Sequence, residues 1–130
     1  MSGFTDKLIS KEKALELQNN WIKNQGSLID QARKERDVRD FLFDLEELQD
    51  YIDMVREESK AQGIFRPGIR IHFGSYGEDQ AKQATIFLQA TKDVKGVQQT
   101  ESDQESEQVP NNYGILGLNT VLGGFPPTDL

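Results

Sequence analysis

Cysteine is missing from the 130-residue chain. Disulfide frameworks, thiolate zinc sites and cysteine nucleophiles are excluded with it. Its absence fits a reducing compartment without requiring one. Histidine occurs once, at His72, so a histidine-dependent triad and a two-histidine metal site are excluded as well. Long apolar runs are also lacking: none approaches the roughly 20 residues a membrane helix needs. The opening Met1-Ser2-Gly3-Phe4-Thr5-Asp6-Lys7 leads into no secretory-type apolar core, and its glycine falls one place late for myristoylation. The expectation is a soluble, cytoplasmic protein that does not enter a membrane.

Positive charge is scarce too. Against 22 acidic residues stand 15 Lys and Arg, for a formal net charge of −7. Nucleic-acid affinity begins with neutralising phosphates, so an acidic surface opposes DNA or RNA binding, and anionic lipid for the same reason. Hydrophobic residues reach only 35%. Leu, Ile, Val and Phe still make up about a quarter of the chain, above the roughly 20% level that marks disorder. A modest core is expected, in a chain of the usual length for one domain.

Helical signals come first. Ser10 precedes Lys11-Glu12-Lys13-Ala14-Leu15 as an N-cap, and Ala14, Leu17, Trp21 and Leu28 share a face widened by Leu15 and Ile22. Gly26 reads as a stop or bend, and Trp21, the one tryptophan, as a core anchor. In the second helix Val38, Phe41, Leu45, Leu48, Ile52 and Val55 alternate steps of three and four to form an apolar seam. Gly63 ends it as a C-cap, and Pro67 forbids continuation. The period then changes to two. Ile69, Ile71 and Phe73 alternate with Arg70, His72 and Gly74, which predicts a half-buried strand with the apolar row inward. A polar turn at Gly74–Lys82 leads to a second strand over Ala84–Thr91, with Ile86, Leu88 and Ala90 on one face and Phe87 on the other. A hairpin needs cover on its apolar face. The predicted fold is therefore α+β: two N-terminal helices packed on one face of a small antiparallel sheet built around the β-hairpin.

The expected organisation is a core over residues 1–96, an acidic polar loop or linker over 97–110, and a glycine-rich apolar tail over 111–130. The middle stretch, rich in Gln, Ser and Glu, has little to bury. The tail has two readings. It folds back over the open face of the hairpin, adding a short strand on the same single domain, or it docks on a partner by strand addition. The first is preferred because the small sheet needs cover.

Candidate chemistry is sparse. Glu46, Asp50 and Asp53 stand at helical spacing, but in so acidic a chain a solvated helix face explains them. Gly74-Ser75-Tyr76-Gly77 has a G-x-x-G form that can cradle phosphate, yet Glu78 and Asp79 follow and no helix opens behind it. A hairpin loop is the better reading. Arg66, Arg70 and Lys82 make a small basic spot, expected to pair with acids of the second helix. His72, beside Arg70, has the pKa range of a pH sensor or base, but nothing near it in sequence completes a mechanism. No catalytic residue, metal ligand or cofactor site is assigned. The residues singled out for ligand binding are Arg70, His72 and Tyr76.

The strand Gly68-Ile69-Arg70-Ile71-His72-Phe73-Gly74 resembles that of a group of small uncharacterised bacterial proteins common in Bacteroidetes. These carry a G-I-R-I-aromatic-x-G strand after helical segments, followed by a second apolar strand, a polar stretch and a proline-containing end. The likeness in order of elements spans Ser10 to Thr91. This chain departs from it with His72 at the aromatic position and no cysteine near Pro126-Pro127. The resemblance implies a bacterial origin, and neither an activity nor a site residue.

The leading expectation for function is a non-enzymatic protein that acts by binding another protein, as a small dimer or an accessory subunit. One version is an acidic immunity- or inhibitor-type protein that covers a basic enzyme. The alternative is a small-molecule binding domain or enzyme, with a pocket between the sheet and the second helix lined by Arg70, His72 and Tyr76.

Overall fold

A computed structural model describes residues 2–34, 37–77, 83–94, 109–119 and 122–123. The architecture is α+β, and the chain divides into two compact units with the boundary at Asp40–Phe41. Among the described residues no helix is long and apolar enough to cross a membrane.

The first unit is helical. After a short α1 (Ser2–Thr5), α2 (Lys11–Trp21) starts where the Ser10 side chain accepts a hydrogen bond from the Lys13 amide at 3.1 Å, as an N-cap should. Gly26 does not stop it. The chain passes through a π-helical segment, Ile22–Gly26, and continues as α3 (Ser27–Arg33), ending at Lys34 in the left-handed conformation. The expected stripe is shallow: Trp21 is half-buried, Leu17 and Leu28 are exposed, and no residue of α2 is buried. Asp30 of α3 gathers the chain that follows, accepting from the Asp37 amide at 3.1 Å and pairing with the Arg39 guanidinium at 2.7 Å. Gly26 has a packing role. A Cβ there would lie 2.7 Å from the Trp21 ring. Gly26→Ala should therefore cost about 1–3 kcal/mol through overpacking, read as a lower midpoint of unfolding followed by Trp21 fluorescence.

The second unit holds the sheet. Its helix starts later than the apolar spacing predicts. Phe41–Leu42 is a short strand, β1, paired antiparallel with β4 (Leu122–Gly123), and α4 spans Leu45–Ala61. Asp44 decides the start, because its carboxylate accepts from the Glu47 amide at 3.0 Å. Val38 and Phe41 therefore fall outside the helix, and Leu45 is exposed. The buried face runs through Tyr51, Val55 and Ser59, one residue round from the predicted Ile52. At the other end Gly63 has φ 78 and donates to the Lys60 carbonyl, while Ile64 donates to that of Ser59. This is the glycine-terminated Schellman cap.

β2 (Pro67–Ser75) and β3 (Ala84–Asp93) pair antiparallel, with Ile71 opposite Leu88, His72 opposite Phe87 and a register shift between Pro67 and Ile69. Strand alternation puts Ile69, Ile71, Phe73, Ile86, Leu88 and Ala90 on one face, and Arg70, His72, Phe87 and Gln89 on the other. The core is centred on β3: Leu88 (3% exposed) and Ala90 (0%) pack with Tyr51, Val55 and Ile115. Ile115 comes from Val109–Asn119, which lies along the second edge of β3 as a broken strand. Leu88 and Leu118 exchange backbone hydrogen bonds at 2.8 and 2.9 Å, Asn112 donates to Ala90, and Lys92 donates to Pro110. Of the stretch 97–110, expected to be a loop or linker, residues 97–108 lie outside the described residues.

Candidate functional site

The predicted alternation of β2 is present, but its inward row is not the apolar one. Ile71 is 62% exposed and Phe73 85%, with Ile69 also exposed, whereas Arg70, His72 and Gly74 are half-buried. The reason is tertiary. α4 and Ile115 cover this face of the sheet over β3 and leave the β2 margin of the same face open.

The outer backbone edge of β2 is open at the same residues that carry those side chains. On β3, the Leu88 and Lys92 amides and the Ala90 carbonyl face the Val109–Asn119 segment. In an antiparallel ladder the alternate residues, Phe87 and Gln89, must then face β2. Their partners His72 and Arg70 use their backbone groups within the hairpin, as Tyr76 does in donating to Gln83 at 3.2 Å. Ile69, Ile71 and Phe73 therefore aim their N–H and C=O groups at the outer edge. Among the described residues no strand pairs with that edge. Among the described residues, β2 thus presents unpaired ladder groups and exposed apolar side chains at the same three positions.

The polar face has a different arrangement. Arg70 and His72 register with Gln89 and Phe87, which places them on the sheet face away from α4, not in a pocket between sheet and helix. The Arg70 guanidinium donates to the Val109 carbonyl at 2.9 Å and to Asn111 Oδ1. Asn111 Nδ2 lies 3.4 Å from His72 Nε2 and donates to the Tyr113 hydroxyl at 2.9 Å. The His72 ring stacks on Phe87 with centroids 4.9 Å apart. Arg70 and His72 thus fasten the tail segment across β3. Tyr76 is apart from them. It borders an open depression of about 410 Å3 with Gly74, Thr85, Phe87, Leu118 and Asn119, where the Thr85 hydroxyl donates to the Tyr76 hydroxyl at 3.1 Å. Among the described residues no charged side chain lines the depression.

The other sequence candidates are dispersed. Glu46, Asp50 and Asp53 are exposed on α4, with Asp53 accepting from Gln49 at 3.0 Å and lying 3.7 Å from Arg56. The Arg66 amide donates to Asp93 at 2.7 Å. Gly77 has φ 70 and its amide donates to the Ser75 hydroxyl. Lys82, Glu78 and Asp79 lie outside the described residues. Among the described residues no cluster of His, Asp and Glu could hold a metal ion. One titration stands out: burial pushes the Tyr51 phenol above its ordinary pKa. Its hydroxyl donates to the Leu116 carbonyl at 3.0 Å, with that of Leu88 at 3.3 Å.

The polar residues that organise this unit carry no local sequence signal. Gln89 donates to the Asn112 and Ile115 carbonyls at 2.9 and 3.1 Å, and Asn112 accepts from the Gly114 amide while donating to Gln62. Their long-range partners are 23 to 50 positions away, so periodicity cannot point to them.

No protein-family model matches the chain, and no curated protein or solved structure matches it.

Proposed function

We propose that this protein works by binding another polypeptide chain, without chemistry of its own, and that the outer edge of β2 is the binding surface. The observation that carries the reading is the coincidence at Ile69, Ile71 and Phe73 of open backbone groups with exposed apolar side chains. An edge strand is ordinarily blunted by charge, proline or a bulge. Here Pro67 and the register shift sit at the start of the strand, and the charged residue between Ile69 and Phe73, Arg70, is bonded to Val109 and Asn111 across β3 rather than placed at the edge. Strand addition would satisfy the ladder groups, and its side chains would cover the apolar row.

The test is affinity capture from a lysate of the cells that make the protein, comparing the wild-type chain with Ile71→Lys. A polypeptide retained in stoichiometric amount by the wild type and lost with the lysine is the expected result. Ile71→Lys should give the same circular dichroism as the wild type, because the side chain is already exposed. Equal retention by the two would refute the edge as the binding surface.

A further inference from the structure

We infer that the chain seated on the β2 edge is a second copy of this protein, joined to the first about a two-fold axis at Ile71. The inference rests on the reading of that edge as a binding surface and identifies its occupant. The first argument is register. Two β2 strands run antiparallel with Ile71 opposite Ile71 match Ile69 to Phe73 on either side of the axis. Every outward-facing apolar residue then meets an apolar partner. All three positions are of the type whose backbone groups point outward, so each opposed pair exchanges both of its N–H···O bonds. An isologous interface requires this kind of self-complementarity.

The second argument is charge. Copies carrying −7 each repel at a distance, so a contact between them needs a surface without acid. From Ser59 to Gly77 the chain has no acidic residue. The charged side chain within the strand is directed away from the edge, since Arg70 reaches back over β3 to Val109 and Asn111. His72, which would stand opposite Arg70 of the second copy, is held on Phe87. The edge therefore presents backbone and hydrocarbon. Two hairpins joined this way form one continuous sheet, and the open margins of the α4-covered faces become adjacent, so that Ile69, Ile71 and Phe73 of both copies cover one another.

Sedimentation equilibrium on the full chain tests this. The wild type should show a concentration-dependent dimer that tightens as salt is raised, because salt screens the repulsion and leaves the apolar contact intact. Ile71→Lys and Phe73→Lys should each raise the dissociation constant by at least about tenfold. Ile71→Cys gives the chain a single thiol placed opposite its copy about 5.5 Å away between Cα atoms. It should cross-link on oxidation, whereas Phe65→Cys, more exposed but far from the axis, should not. A wild type that stays monomeric up to its solubility limit overturns the inference, as does a dimer that survives both lysines. If the wild type is monomeric and Ile71→Lys still abolishes capture from lysate, the occupant is a different protein and the functional reading stands. If capture is also indifferent to Ile71→Lys, both fail.

Discussion

Ile115→Ala should lower the unfolding free energy by about 2–5 kcal/mol, a large part of the roughly 5–15 kcal/mol by which a domain is stable. Ile115 is 1% exposed and packs with Tyr51, Val55, Leu88 and Ala90. The alanine removes three carbons from that cluster and leaves a cavity. The surroundings have little freedom to collapse into it, because the flanking backbone is held by Gln89 on the Ile115 carbonyl and by Tyr51 on that of Leu116. Trp21 belongs to the other compact unit, so its fluorescence is the wrong probe. Urea unfolding followed by exchange of the Leu88 and Leu118 amides reads the affected unit directly. A loss under about 0.5 kcal/mol, the size of an ordinary surface substitution, would mean that this segment is not part of the core.

Gln89→Leu should also destabilise, although it replaces an amide by a hydrocarbon of similar size at a buried position. A hydropathy argument gives the opposite sign. The amide nitrogen of Gln89 donates to two carbonyls, those of Asn112 and Ile115. Leucine removes both bonds, leaving the Ile115 carbonyl without that donor while the Asn112 carbonyl keeps the Ile115 amide at 3.3 Å. Each buried acceptor left unsatisfied costs about 1–3 kcal/mol. The gain from burying leucine is about 1.5–3 kcal/mol against full exposure, and less here because the glutamine's own aliphatic carbons are already buried. One unsatisfied acceptor and one further lost bond outweigh it, for a net cost on the order of 1 kcal/mol. Asn112 and Leu118 donate backbone hydrogen bonds to β3, so their amides should exchange faster in the variant. A variant as stable as the wild type, with unchanged exchange at those amides, would show that the amide contributes nothing.

Features that depend on neighbours in sequence were legible without the structure. Ser10 caps α2, since an N-cap and its amide partner are three residues apart. Gly63 ends α4, because the left-handed conformation at that position suits glycine. Both strands of the hairpin and their alternation follow from a period of two. Gly26 shows where a local rule misleads. Read as a helix stop, it is instead the one residue small enough to lie under the Trp21 ring in a continuing helix.

The candidate site was half legible in the same sense. Arg70 and His72 were identifiable as polar residues on one strand face and Tyr76 as part of the turn that follows, but Asn111, which links the first two, comes from a segment about 40 positions away. The apolar row was identifiable as well, and was predicted to face inward because in most sheets the apolar face is the covered one. Here the cover is narrower than the sheet.

By itself the sequence determined the acidic, cysteine-free character of the protein, its α+β composition, the hairpin and the two capped helix ends. All of these are set by residue type or by spacings of a few residues. Only the tertiary structure decided that α4 and Ile115 cover β3 and leave β2 open, that Arg70 and His72 fasten the tail segment, and that Ile69, Ile71 and Phe73 form an outward edge. Alternation along a strand divides side chains into two sets but does not say which set meets a neighbour. That depends on where a helix and a tail from distant parts of the chain come to rest.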